Sequence, residues 1–386
     1  GMQGQEEGRA VVEMLAELPD LWDVNVSDWA NDSATTRFEP NDGFQIEHIN
    51  FVKQLTSKPV VGTGRITSPD MMVKLINTGV LDLIGAARPS IADPYLPNKI
   101  KEGRIDEIRE CIGCNICVSS DNHGIPIRCT QNPTMGEEWR RNWHPEQIEA
   151  KGEAEAALVV GAGPAGLECA MQLARRGYAV TIAEGRDAAG GRAKRESELH
   201  GLSAWKRVSD NRLYDLQQRA NVNLYLESNL SAQDVLDLDI PNVFVATGAT
   251  WRADGVGRSS RTALLRDPTI PVFTPDDIMD QTALPEGPIV IYDDDQIYIG
   301  GVIAQHLAAA GHEVHFVTPA AIVSPWTEMT LEQDRIQRAL ITAGVNIHTG
   351  RRLVEVTADG CRLACVYGGS DTDVSCGAVV LVTERT

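Results

Sequence analysis

Apolar and polar positions along this chain switch repeatedly between helical and strand spacing. The opening, "GMQGQEEGRAVVEMLAELPDLWDV", reads as an amphipathic helix followed by a strand. Residues 51 to 90 read helix, strand, helix, strand in "FVKQLTS", "KPVVGTGRI", "SPDMMVKLINTGV" and "LDLIGAARPS". Short loops between alternating strands and helices predict a parallel sheet with helical crossovers. Further on, "AALVVGAGPAGLECAMQLARRGYAVTIAEG" reads strand, glycine loop, helix, strand, and "EGPIVIYDDDQIYIGGVIAQHLAAAGHEVHFVTP" repeats the plan. Between these lies "NVFVATGAT", Asn242 to Thr250, with the pattern of a buried strand ending in a tight turn. Both ends are abrupt: "CGAVVLVTERT" stops inside an apolar strand pattern, so the expectation is a piece of a longer chain.

A length of 386 residues predicts about two domains. With 42% hydrophobic and 23% charged residues, the chain has the composition of a folded globular protein rather than a disordered one. The formal net charge of −19 argues against nucleic acid or an anionic membrane as partner, since both are polyanions. No apolar run approaches the roughly 18 residues of a membrane span, and no secretory leader opens the chain, so a cytoplasmic location is expected.

In a reducing compartment, clustered cysteines point to metal or redox chemistry rather than disulfides. Four of the eight cysteines, Cys111, Cys114, Cys117 and Cys129, fall in "ECIGCNICVSSDNHGIPIRC". Structural zinc usually takes two separated CxxC pairs. Here the spacing is CxxCxxC, eleven residues, then Cys129, which suits three corners of a [4Fe-4S] cubane on one tight turn and a fourth from the next loop. Zinc and no metal remain the alternatives. Gly113 fits the turn, and Cys169, Cys361, Cys365 and Cys376 are scattered and read as packing residues.

Two glycine-rich turns upstream each carry an arginine: Gly62-Thr63-Gly64-Arg65 and Gly85-Ala86-Ala87-Arg88. Small residues expose backbone N–H groups and arginine adds a bidentate donor, a pattern for an FMN-type phosphate grip through Gly62, Gly64, Arg65, Gly85, Ala87 and Arg88. The plain alternative is two tight turns with solvated arginines.

Downstream, Gly161-Ala162-Gly163-Pro164-Ala165-Gly166 joins a strand to a helix, and Glu184 ends the next strand. That context makes GxGxxG a site for ADP or an adenine dinucleotide, with pyrophosphate on the helix N-terminus and Glu184 accepting from the ribose. Gly191 and Arg192, and the Thr247-Gly248 turn, are assigned to the same nucleotide. In the repeated unit Asp293, Asp294 and Asp295 stand where a glycine loop should cradle phosphate, so it keeps the fold and is expected to have lost NAD(P)H binding.

The order of these parts, with "IGAARPSIADPYLPNKI", "CIGCNIC" and "RCTQNPTMGEEWRRNWHPE", resembles the iron-sulfur flavoproteins that include trimethylamine, dimethylamine and histamine dehydrogenases, with 2,4-dienoyl-CoA reductase more distant. The resemblance covers essentially the whole chain. It implies an α/β architecture: the C-terminal part of an FMN-binding (β/α)8 TIM barrel at 1–100, a [4Fe-4S] segment at 101–150, an ADP- or FAD-type domain at 151–255 and a degenerate NAD(P)-type Rossmann domain at 256–386. It further implies oxidation of an amine by hydride transfer to FMN, with electrons leaving singly through the cluster to an electron-transferring flavoprotein, and a homodimer. The amine branch holds ADP where the reductase branch holds FAD and uses NADPH, and the three aspartates favour the amine branch.

In "VSDWANDS", Trp29 matches the family's substrate-cage tryptophan and Asp32 the carboxylate of its Tyr-His-Asp catalytic set; an aromatic face attracts an alkylammonium and an Asp orients a His. Past the third cysteine, Asp121 replaces a second cage aromatic, which suits a polyfunctional amine such as histamine; a solvated loop aspartate is the alternative. Taken alone, this stretch is expected to be an inactive electron-transfer and nucleotide-binding module, because a barrel missing strands exposes edges and does not enclose FMN.

Overall fold

The computed structural model describes residues 4–26, 35, 37–39, 41–141, 143–144 and 146–386. Three short strands, β1 (Trp22–Val24), β2 (Val60–Gly62) and β3 (Leu83–Ile84), pair in parallel in that order. The crossover from β2 to β3 is the helix Pro69–Asn77, which starts from an extended Ser68 with proline in its first turn and buries Pro69, Met72 and Leu75. These join Ile49, Val52, Val60, Ile66 and Leu81 in one core.

In place of the helix expected at "FVKQLTS" stands a single 3-10 turn, Val52–Gln54, preceded by the short helix Ile46–Ile49. Side chains compete with helix formation there. The Thr56 hydroxyl donates to the Ala16 carbonyl at 2.6 Å, and Ser57 gives its N–H and its hydroxyl to Glu17 at 2.7 and 2.6 Å.

After β3 come the helices Ala87–Ala92 and Leu96–Glu102, then an extended run into the cysteines. A buried ion network fixes that run. Lys99 donates to Asp93 Oδ2 at 2.7 Å and to the Glu107 carbonyl at 3.0 Å, Asp93 also accepts the Arg109 N–H at 3.1 Å, and Glu146 stands 3.2 Å from Lys99. Cys111 therefore begins two residues beyond an anchored backbone.

The first nucleotide-type unit is a parallel sheet of β4 (Ala156–Val160), β5 (Ala179–Ala183), β6 (Val222–Tyr225) and β7 (Asn242–Val245) in the order β6-β5-β4-β7. Its helix Pro164–Arg176 packs Leu167, Ala170, Met171 and Ala174 against Val159, Val180 and Ile182. β7 corrects the sequence reading: it is an edge strand, with Val243, Phe244 and Val245 exposed. An apolar run does not distinguish a central strand from an edge one, because burial depends on what lies beyond it.

The second unit contains β8 (Leu265–Arg266), β9 (Val272–Phe273), β10 (Ile289–Asp293), β11 (Val314–Val317), β12 (Asn346–His348), β13 (Arg351–Thr357), β14 (Gly360–Cys365), β15 (Thr372–Ser375) and β16 (Ala378–Val382). One sheet is parallel, β12-β11-β10-β16-β9, and the other runs β15-β14-β13-β8. Every residue of β10 and β16 is buried, as expected for central parallel strands covered on both faces. Cys361 and Cys376 are buried in this unit, which agrees with their reading as packing residues. Among the described residues no helix is long and apolar enough to cross a membrane.

Candidate functional site

The two arginine turns touch. Gly85 N–H donates to the Gly62 carbonyl at 2.9 Å, and a Cβ on Gly85 would lie 2.5 Å from Thr63 Cγ2. The arginines then diverge. Arg65 has a left-handed backbone (φ 53°) and is buried, with Nη2 donating to the carbonyls of Glu39 and Asn41. Burial lowers its pKa against the opposing charge of Asp42. The guanidinium expected on a phosphate is thus engaged with main chain. Arg88, in the first turn of Ala87–Ala92, reaches the cysteine loop, where Nη1 donates to Asn115 Oδ1 at 2.8 Å.

The cysteine loop turns through Gly113 (φ 64°) and Asn115 (φ 56°) into the helix Ile116–Asn122. Gly113 N–H donates to Cys111 Sγ at 3.4 Å, and Cys114 Sγ lies 3.1 Å from the Thr130 hydroxyl. Backbone N–H groups also face the other sulfurs: Ile116 for Cys114, Val118 for Cys117, and Gln131 and Asn132 for Cys129. The four thiols are close enough to feel one another's charge. Burial pushes Cys114 up to about 12 and Cys117 and Cys129 up to about 11, and neighbouring thiols add to the rise. Such a set of neighbouring thiols with N–H donors suits a cationic centre, which supplies the charge that burial otherwise denies the thiolates.

Among the described residues no three or more His, Cys, Asp or Glu side chains form a group that could hold a metal ion. The segment just after Cys129 is held by Arg212, whose Nη2 donates to the Gln131 carbonyl at 3.2 Å while Nε donates to Glu168 at 2.7 Å. That contact welds the loop to the first nucleotide unit, and nothing local in the sequence announces it.

Gly161 (φ 101°) crosses so close to β7 that a Cβ would lie 2.4 Å from the Ala246 carbonyl oxygen, and a Cβ on Gly166 would lie 1.9 Å from the Gly161 oxygen. Gly163 caps the helix, with Pro164 first and Ala165 second. Glu184 directly follows β5, but its carboxylate accepts from the backbone, Ala162 N–H to Oε2 at 2.7 Å and Arg186 N–H to Oε1 at 3.0 Å, and so braces the loop. A cavity of about 960 Å³ collects Gly161, Gly163, Pro164, Ala165, Glu184, Gly191, Arg192, Thr247 and Gly248 on one wall. Gly166 is buried behind them. Cys114 lines the same cavity, together with Trp205, Tyr298 and Trp326, aromatics from distant segments that the sequence reading missed. Tyr298 donates to Glu196 at 2.6 Å and meets the Trp205 ring edge-on at 6.3 Å.

In the second unit the three aspartates run from the last residue of β10 into the turn before the helix Tyr298–Ala309. Asp293 lies against the start of the helix Tyr298–Ala309, where a Cβ on Gly300 would fall 2.7 Å from its Cγ, and Asp294 accepts from the Ser259 N–H and hydroxyl at 2.8 and 2.6 Å. Burial holds the Asp293 carboxyl well above its ordinary 3.8, against the Gln296 N–H. A folded-state value raised above the unfolded one contributes stability that is present below the unfolded pKa and lost as pH rises. Asp293→Asn, which keeps an acceptor for Gln296, should therefore be stabilised relative to the unsubstituted chain increasingly from pH 5 to pH 8, as read by urea unfolding. A constant difference would show that Asp293 is ionised in the fold.

Asp121 is exposed on the last turn of its helix, and Trp29 and Asp32 lie outside the described residues.

Residues 2–107 match the NADH:flavin oxidoreductase / NADH oxidase family, and residues 155–383 match the pyridine nucleotide-disulphide oxidoreductase family. The chain is 39% identical to dimethylamine dehydrogenase of Hyphomicrobium sp. (strain x) over 92% of its own length and 50% of that protein. It superposes on histamine dehydrogenase from Rhizobium sp. 4-9 with TM-score 0.96 and 50% identity, covering 98% of this chain and 55% of that one. For 6-hydroxypseudooxynicotine amine oxidase from Pseudomonas geniculata N1 the TM-score is 0.95 at 49% identity, covering 100% and 57%. The chain spans about half the length of these relatives. With a TIM-barrel segment followed by two Rossmann-type units, it belongs to the pyridine nucleotide-disulphide oxidoreductase family, within the flavoprotein group of the trimethylamine, dimethylamine and histamine dehydrogenases.

Proposed function

We propose that this chain is the barrel-end, cluster and nucleotide portion of an amine dehydrogenase that deaminates a methylated or histamine-like amine. The observation that carries this reading is the direct junction of phosphate turn and cysteine loop, Arg88 Nη1 to Asn115 Oδ1 at 2.8 Å. When bound, FMN accepts the electrons of amine oxidation and a [4Fe-4S] cluster passes them on singly. Arg88, with the turns of Gly62, Gly64, Gly85 and Ala87, would hold the FMN phosphate; Gly62 and Gly64 are buried, Gly85 is half-buried and Ala87 is exposed, while Arg65 braces its turn from within. Cys111, Cys114, Cys117 and Cys129 would hold the cluster. Gly163, Pro164 and the helix behind them would take an ADP diphosphate, with Arg192 alongside. Asp121, with Trp29 and Asp32, remains assigned to the amine, an electron-transferring flavoprotein to the acceptor role, and the assembly to a cytoplasmic homodimer.

One feature favours a second reading. The nucleotide cavity, at about 960 Å³, runs on to Cys114, so FAD with an NADPH-dependent reductase activity is the alternative. The full protein containing this chain, assayed with histamine, dimethylamine and trimethylamine against a dye acceptor, should reduce the dye only when amine is present. Reduction of an enoyl thioester by NADPH with no response to amines would replace this reading with the alternative.

A further inference from the structure

Asn115 sits inside the cysteine motif and is 1% exposed. Its backbone is left-handed (φ 56°), a conformation that costs most residues about 1–2 kcal/mol and that asparagine tolerates better than most. Its side chain binds in two directions. Oδ1 accepts from Arg88 Nη1 at 2.8 Å, and Nδ2 donates to the Thr330 carbonyl at 3.0 Å. One amide therefore links the second arginine turn, the cysteine loop and, across 215 positions, the second nucleotide unit. A carboxamide accepts at one atom and donates from another, so it can bridge partners on two sides. Arg88 is also close enough to Cys117 for its charge to be felt there.

We propose that Asn115 is a positioning residue: it clamps the cysteine loop between Arg88 and Thr330 and so fixes the arginine's positive charge beside the group that the four thiols hold. This rests on the cluster reading above. A fixed cation favours the more reduced, more negative state of a cluster, so releasing it moves the midpoint potential downward.

The test uses the anaerobically purified 386-residue chain. Glycine accepts the left-handed turn, so Asn115→Gly removes both bonds without straining the backbone. It should retain its iron, show a more negative cluster midpoint in an EPR-monitored titration, and exchange amide hydrogens at least tenfold faster at both 86–92 and 327–332. Asn115→Asp keeps an acceptor for Arg88 but loses the donor to Thr330, so only 327–332 should speed up. Unchanged exchange at both segments in Asn115→Gly would overturn the proposal, as would an unchanged midpoint. If the unsubstituted chain holds no iron, the cluster reading fails, and the exchange measurement still decides whether Asn115 is the clamp.

Discussion

Serine in place of Cys114 is expected to strip the chain of most of its bound iron and labile sulfide, with loss of the visible absorbance of the purified protein. Cys114 is the middle thiol of the tight turn, beside Thr130, and lines the cavity proposed for the nucleotide. An alkoxide is a harder and shorter ligand than a thiolate, and a serine hydroxyl is not deprotonated at neutral pH without a strong cation beside it. The fold should survive, since a serine at this position still meets the Thr130 hydroxyl. Iron analysis and circular dichroism on the same sample separate the two effects. Full iron content in Cys114→Ser would remove this residue from the ligand set.

The second large effect is expected from Gly161→Ala. The added methyl would lie 2.4 Å from the Ala246 oxygen and 2.9 Å from its carbon, both backbone atoms with no rotamer to adopt. The φ of 101° is also poorly accessible to alanine. Overpacking of this kind costs on the order of 3 kcal/mol. Because the clash lies between β4 and β7, relief requires the sheet to part where the helix Pro164–Arg176 begins, and the diphosphate site goes with it. Calorimetric titration with ADP should show binding to the parent and none to the variant, while iron content stays unchanged. ADP binding by the variant at parental affinity would mean that the nucleotide sits elsewhere.

What the sequence revealed and what it concealed divide along a physical line. Cys111, Cys114 and Cys117, like Gly161, Gly163 and Gly166, act at short range, so spacing alone displays their geometry. Parallel strands with helical crossovers were legible for the same reason. Long-range closure was not. Arg212 reaches Gln131 across 81 positions, and Tyr298 joins the cavity from the second unit. Direction was equally hidden: Arg65 and Glu184 stand where the motifs predict, but Arg65 turns inward to carbonyls and Glu184 accepts from its own loop. The exposure of β7 depends on what lies past the sheet edge, which no property of "NVFVATGAT" encodes.

The measurement that tests the central claim most directly is iron and labile sulfide per chain on anaerobically purified protein, with the visible spectrum before and after dithionite. About four of each, with absorbance that bleaches on reduction, is the result expected for a cluster on these cysteines. Zinc, or no metal at all, would contradict it.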